Sequence, residues 1–451
     1  MILNKNQPMQ TTLGLRENIG QFALLVLVNA FVGAMVGLER TLLPILAEEK
    51  FGISSAFAVL SFIAAFGAAK AGANYLTGRF SNRLGRKNLL VLGWILALPV
   101  PFLLGFAPNW GWVIAANVLL GIHQGFAWSS TVVMKIDLVG ERQRGLAMGL
   151  NEFAGYVAVA LAAFGSAALA QHFGAVDVIF YTGLAVALTG LMLSLIWVRD
   201  TRKHVAMEAA ISCRKKLRNV FSDTSWRHKN LSAVTQAGLI NNLNDGMVWG
   251  LLPLLMHQQG YAMSTIGLVA GLYPFVWGIS QILTGKWSDT VSKKQMLVLG
   301  MLLQAIGIAG FIWANSTVYY AVCSVLLGLG TAAVYPVFLS AIADNTHPDQ
   351  RAESIGIFRL WRDLGYLFGA LLTGLLSDWA GASVAIAAVG GLTAVSAIIL
   401  QVRMFDVPPC DAPMPISLGQ FFRQRWRLKH PEFNNHQHDP KHHDLLANIL
   451  G

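Results

Sequence analysis

Apolar stretches of about 20 residues recur about a dozen times along this chain, separated by short polar breaks. A helix needs about 20 residues to cross a hydrocarbon layer about 30 Å thick. Inside that layer only helices and closed barrels satisfy their own backbone. Runs such as Leu89 to Ala107 and Val178 to Val198 are continuous rather than alternating, which selects helices over barrel strands. With 55% hydrophobic and only 12% charged residues, about half the charge of a soluble domain, the sequence predicts an all-α membrane protein.

Twelve spans are expected, at 20–46, 54–78, 88–107, 111–136, 145–170, 176–198, 231–256, 264–285, 295–314, 317–342, 354–376 and 383–404. No apolar core with a cleavage site precedes the first, so that helix is read as the anchor and no removable signal peptide is expected. Lys and Arg concentrate in alternate breaks: Arg79, Arg83, Arg86 and Lys87, then Lys135, Arg142 and Arg144, then Lys286, Lys293 and Lys294, then Arg351. The positive-inside rule puts these breaks, and both termini, in the cytoplasm, as expected for a bacterial inner-membrane protein. The expected division is a terminal segment 1–19, a six-helix bundle 20–198, a basic connector 199–230, a second bundle 231–405 and a His-rich tail 406–451. The net charge of +10 is then topological and lipid-facing, with no nucleic-acid partner implied. The tail segment FFRQRWRLKH suits a membrane-surface helix.

The chain repeats itself at an offset of 207 residues: Gly78 meets Gly285, Lys87 meets Lys294, Gln143-Arg144 meets Gln350-Arg351, and Gly149 meets Gly356. A register held through basic breaks as well as apolar helices marks two copies of one six-helix unit. The break after the second span reads Gly78, Arg79, Phe80, Ser81, Asn82, Arg83, Leu84, Gly85, Arg86, Lys87, and its copy runs from Gly285 through Asp289 to Lys293 and Lys294. In this pair the chain resembles the major facilitator superfamily, whose loop is G-x-x-x-D-R-x-G-R-R/K. Asn82 replaces the acid in the first copy and Asp289 keeps it in the second. The resemblance covers roughly residues 18–405. It implies two pseudo-symmetric six-helix bundles rocking about a midplane site, as in secondary transporters. Arg83, Arg86 and Lys87 then suit a latch onto the opposite bundle in one state; simple positive-inside anchoring is the alternative.

Ionisable residues at membrane depth cost about 2.5–3.5 kcal/mol on insertion scales and are site candidates by default. Helix 7 carries Asn241, Asn244 and Asp245 as one polar stripe, either to bind protons or substrate or to clasp neighbouring helices. Helix 11 carries Arg359, Arg362 and Asp363. An intrahelical pair of Arg359 with Asp363 leaves one positive charge, to be met by a substrate anion or by Glu152 of helix 5, with Lys70 of helix 2 competing. Glu39 and Arg40 on helix 1, about 100° apart, are candidates for an ion-pair gate or for anion binding, unless one of them snorkels outward. His123 beside Gln124 is either a proton relay or packing. Trp128, Tyr156, Tyr273, Trp277, Trp361 and Tyr366 are candidates for lining a cavity or facing lipid.

Some functions lose weight and others are excluded. Proton-coupled drug exporters of the superfamily carry an Arg three residues before Gln124-Gly125, where this chain has Gly121, and a helix-5 Pro that is absent here. No Walker loop or nucleophile elbow appears, so no enzyme and no cofactor is expected. Cys213, Cys323 and Cys410 suggest neither a disulfide framework nor a zinc site, and the histidines His430, His436, His438, His442 and His443 read as a solvated tail, with binding of a soft or borderline divalent metal as the alternative. The expectation is secondary transport of a small organic solute, plausible for an anion and coupled to protons through Asp245 or Glu152. Drug or metabolite efflux, and a non-transporting sensor or scaffold, are the alternatives.

Overall fold

The computed structural model describes residues 11–53, 56–261, 263–408, 410 and 416–429. The His-rich stretch lies outside these residues, as does the side chain of Arg40. Among the described residues, twelve long helices follow one another. Helices 1 to 6 are Ile19–Glu49, Ala56–Leu84, Arg86–Ala97 continued as Pro99–Gly105, Trp110–Val139, Arg144–Phe173 and Ala175–Ile196. Helices 7 to 12 are Lys229–Gln258, Met263–Ser288, Lys293–Gly310, Thr317–Asp344, Pro348–Ala380 and Ala382–Arg403. Eight of them qualify as spans on length and apolar composition alone. Helices 2, 4, 7 and 11 do not, and these carry Lys70, Lys135, Asp245 and the Arg359–Asp363 segment.

The internal repeat is also a packing repeat. Helix 1 lies on helix 5, helix 2 on helix 4 and helix 3 on helices 4 and 6; in the second half helix 7 lies on 11, helix 8 on 10, and helix 9 on 10 and 12. The halves meet through helices 2 and 11 and through helices 5 and 8. At both seams the glycines of the repeat allow backbone contact. A Cβ on Gly78 would stand 2.6 Å from the Ala352 carbonyl and 2.9 Å from Gly356 Cα, and one on Gly285 would stand 3.0 Å from Gly149 Cα. Gly67, Gly165, Gly271 and Gly374, on the other halves of the same four helices, face open space. The bundles therefore touch through their backbones toward the basic breaks, here the basic face, while these glycines at the other ends of the helices, here the far face, make no such contact.

The helices are longer than expected, which changes the reading of the basic breaks. Helix 2 runs on to Leu84 and helix 8 to Ser288, while helix 11 begins at Pro348. Most of the supposed loop is thus helical, and the turn is made at Gly85, whose φ of 90° suits glycine. Arg86 and Lys87 do not latch the opposite bundle. Arg86 pairs with Asp137 of helix 4 at 3.2 Å, Lys87 Nζ donates to the Leu195 carbonyl at 2.8 Å, and Arg83 is exposed. Of the motif residues, those at the acid position of each copy reach across the seam. Asn82 donates to the Asp349 carbonyl. Asp289 accepts from the Gly145 and Leu146 amides at 2.6 and 3.0 Å, at the positive end of helix 5. Burial outweighs these bonds and nearby Lys293, and raises Asp289 to about 7. Of the second-copy lysines, Lys293 pairs with Asp344 at 2.9 Å and the Lys294 amide donates to Asp406 at 3.1 Å.

The connector supplies an ion-pair junction between the bundles. Its helix Arg202–Ile211 presents Glu208 to Arg144 of helix 5 and to Arg351 of helix 11, which donates at 2.9 Å. These arginines are repeat partners, one from each bundle. Burial pushes Glu208 up, but Arg351 and Arg144 hold it below the ordinary carboxylate value. The expectation of no disulfide is also corrected: Cys213 of the connector is bonded to Cys410, with Cα atoms 5.6 Å apart. A separation of 197 residues carries no spacing signal. The Cys410 amide also donates to Glu141 at 2.8 Å, and a helix at Leu418–Lys429 places Phe421 and Phe422 against Trp287.

Candidate substrate site between the bundles

Above the glycine seams, helices 2, 4, 5 and 11 meet in a layer of buried charge. Glu152 accepts from Asn151 at 2.7 Å and from Trp128 Nε1 at 3.4 Å, and lies 3.8 Å from Arg359 across the bundle boundary. Arg359 donates to Ser129 at 2.9 Å. The Ser129 hydroxyl donates to Asn74, and Asn74 donates to Asp363 at 2.6 Å. Asp363 also pairs with its neighbour Arg362 at 2.6 Å and with Lys70 at 3.8 Å. The expected Arg359–Asp363 pair is therefore not the one formed. Arg362 is adjacent and fills one face of the carboxylate, which leaves Arg359 to reach Glu152 and Ser129.

Lys135 was missed as a site residue because the sequence placed it in a basic break. Helix 4 continues to Val139, so Lys135 is buried within it and donates to Asn151. Its spacing of seven from Trp128, two helical turns, was the available signal. In this layer four cations, Lys70, Lys135, Arg359 and Arg362, surround two carboxylates, Glu152 and Asp363.

Aromatic rings roof the layer. Tyr156 and Tyr335 share a hydroxyl hydrogen bond of 3.1 Å across the boundary. The Trp277 ring lies 4.3 Å from Tyr156 and 5.0 Å from Tyr335. Arg362 sits over Tyr335 at 5.3 Å, a cation–π contact. Below them, Trp277 Nε1, Arg359 Nε and both amide atoms of Gln281 are buried without a hydrogen-bond partner. Buried polar groups are nearly always satisfied, which makes these groups candidates for contact with a ligand. Gln281 was not among the sequence candidates.

The remaining candidates lie elsewhere. Asn241 and Asn244 turn into the second bundle and bond Gln304 of helix 9, at 3.0 and 2.9 Å, with Asn244 also accepting from Thr393 of helix 12. This is an interhelical clasp. Asp245 accepts from Tyr273 and, at 3.2 Å, from Tyr366, joining helices 7, 8 and 11. His123 contacts the Gly93 carbonyl at 3.0 Å and lies against Trp94, between helices 3 and 4 and apart from the charged layer. Gln124 is buried with its carbonyl oxygen unpartnered. Trp361 bonds Ser225 at 3.0 Å, on the connector side. Glu39 is buried inside the first bundle and forms no ion pair among the described residues.

Comparison with known proteins gives a consistent picture. A family model described as Major Facilitator Superfamily matches residues 23–223 and 235–426. The chain is 25% identical over 423 residues to the uncharacterized MFS-type transporter YhhS of Escherichia coli, covering 89% of this chain and 96% of that one. It is 21% identical over 325 residues to the multidrug resistance protein MdtG of Salmonella arizonae, covering 71% and 79%. Among solved structures it is similar to the human organic anion transporter MFSD10 (TETRAN), with TM-score 0.71, 16% identity and coverage of 85% and 99%. It is also similar to the fucose transporter FucP in the outward conformation, with TM-score 0.68, 14% identity and coverage of 85% and 98%.

Proposed function

The chain belongs to the major facilitator superfamily, whose members are secondary transporters, and from that premise we propose that it carries a small organic anion, coupled to protons, through the charged layer between its bundles. The observation that carries this reading is the Arg359–Glu152 contact at 3.8 Å, one group from each bundle, beside unpartnered donors on Arg359, Trp277 and Gln281. An anion on Arg359 displaces Glu152, and a proton on Glu152 lowers the cost of that displacement. The excess of two cations in the layer supports an anion over a cation. The organic anion transporter among the similar folds agrees with it.

Alternating access follows from the same geometry. In this reading the basic face, held by Glu208, Asp289 and the glycine seams, is the closed side of the transporter and the far face is the side that opens. Under this reading the basic face, the connector and both termini are cytoplasmic, the membrane is a bacterial inner membrane, and the protein is a transporter without enzymatic activity. Efflux is a second reading, favoured by the relatives named as multidrug resistance proteins.

The test is purified protein in liposomes, with lumenal pH followed under a panel of organic anions, organic cations and neutral drugs. Movement of protons with anions, absent from empty liposomes, is the expected result. Movement with cations or neutral drugs alone favours the efflux reading. No solute-dependent flux of any kind returns the protein to a sensor or scaffold.

A further inference from the structure

The Cys213–Cys410 disulfide has no part in the site above, and its position is unusual. Both residues are exposed, on the basic face that the transport reading places in the cytoplasm. That compartment is reducing, and disulfides found there are mostly transient, serving catalysis or redox sensing. The surroundings suit exchange. Arg214, Lys215 and Lys216 follow Cys213, and positive charge favours the thiolate, the attacking form. Glu141 Oε1 lies 3.6 Å from Cys410 Sγ, within reach of its proton. The third cysteine, Cys323, is buried in helix 10 and takes no part.

We propose that Cys213 and Cys410 are a reversible exchange site for low-molecular-weight thiols and disulfides of the glutathione class, and that closing it ties the two bundles together at the basic face. The assignment rests on the proposed cytoplasmic placement of that face. In the closing direction the Cys213 thiolate attacks one sulfur of oxidised glutathione, and a Cys213–glutathione disulfide forms as the first glutathione thiolate leaves. Cys410, its proton passed through Glu141 to solvent, then attacks the Cys213 sulfur and expels the second glutathione thiolate. The two leaving thiolates take up the two thiol protons; the protein loses two electrons and oxidised glutathione gains them. Two equivalents of reduced glutathione run the steps backward.

The bond joins segments fastened to different bundles. Cys213 stands two residues beyond the connector helix Arg202–Ile211, which is held to the first bundle by Glu208 on Arg144 and by Thr201 on Asp137 of helix 4, at 2.8 Å. Cys410 belongs to the tail, which is laid along the second bundle. There the Ile416 amide donates to the Thr290 carbonyl at 3.2 Å and its carbonyl accepts from the Ser292 amide at 2.9 Å, between helices 8 and 9. The Leu418 amide donates to Gln295 at 2.8 Å. A chain from Cys410 to Ile416 reaches at most about 20 Å, so the closed bond limits how far the connector helix and the helix 8–9 turn separate. It is a second strap beside the connector's own run to helix 11, where the Leu217 amide donates to Gln350 at 2.7 Å. With the bond open, Cys410 meets the first bundle through its contacts with Glu141, in the turn between helices 4 and 5.

The test uses full-length protein in lipid nanodiscs, equilibrated with mixtures of reduced and oxidised glutathione. Free thiols are trapped with a maleimide, and amide hydrogen exchange is read at Gly145 and Leu146, whose amides donate to Asp289 across the seam. Neither readout needs a solute. The Cys213 and Cys410 thiols are expected to appear and disappear together, and Cys410→Ser to gain one glutathione in intact mass. Gly145 and Leu146 are expected to lose protection in the reduced form. A variant carrying both Cys213→Ser and Cys410→Ser exchanges there as the reduced protein does, whatever the glutathione mixture. A bond that resists excess reduced glutathione in the folded protein, or that fails to re-form, overturns the exchange site; equal protection in the two forms overturns the tie. An impermeant maleimide that labels Cys213 in reductant-treated intact cells contradicts the cytoplasmic placement instead, and absent anion flux in liposomes contradicts the transport reading. The readouts on purified protein stand apart from both.

Discussion

Glu208→Gln is expected to release the basic face. The carboxylate is buried and holds Arg144 and Arg351, repeat-related residues of opposite bundles. Breaking a buried pair by removing one partner costs about 3–5 kcal/mol. Here the loss is incomplete, because Arg144 keeps Asp344 at 2.8 Å and Arg351 keeps Asp137 at 3.6 Å. With about half the interaction retained, about 2 kcal/mol is withdrawn from the far-open state, a shift of about 30-fold in the equilibrium between states. Labels at Phe173→Cys and Trp379→Cys, both exposed, read that shift as a growing short-distance population in pulsed electron resonance. An unchanged distance distribution in folded Glu208→Gln refutes the claim that the connector holds the two bundles together.

Asp289 gives the seal a pH dependence. Its value of about 7 in the closed basic face lies above the ordinary 3.8, so the proton binds the closed state more tightly; closure is fully favoured below the ordinary value and loses that support as pH rises through about 7. Asp289→Asn is expected to flatten this profile in the same label experiment. Gly78→Leu places a side chain against the Ala352 carbonyl and Gly356 and is expected to abolish far-open closure of the seam, whereas Gly67→Leu, facing open space, leaves it intact. Lys135→Met removes one of two excess cations and is expected to weaken binding of an anionic solute about tenfold with little loss of thermal stability, read by isothermal titration with the solute found in liposomes. Reduction of the Cys213–Cys410 bond is expected to speed hydrogen exchange at Met404–Val407 and Arg214, where Arg214 donates to the Pro408 carbonyl; unchanged exchange shows that the other tail contacts suffice.

Much of the fold was legible because membrane crossing imposes length and composition, and because the 207-residue repeat carries loops as well as helices. The Glu152–Arg359 contact was among the expected alternatives, since both residues stand at comparable depth in their bundles. Other partners were hidden for a physical reason. Helices 2 and 11 extend past the expected ends, so the helical phase of Asn82 decides what it faces, and Lys135, counted with a basic break at the edge of the span 111–136, stands well inside helix 4. Successive residues differ by about 100° on a helix. A stripe such as Asn241 and Asn244 therefore states that one face is polar, while whether that face meets the cleft or helices 9 and 12 depends on the bundle. Glu208 and Cys410 act through contacts 143 and 197 residues away in sequence, and no local pattern announces such a partner.

The central claim is that an anion on Arg359 and a proton on Glu152 travel together. Glu152→Gln separates the two in liposomes, when exchange of a labelled organic anion against the same unlabelled anion is compared with its accumulation under an imposed proton gradient. The account predicts that exchange persists while gradient-driven accumulation is lost. Accumulation undiminished in Glu152→Gln contradicts it.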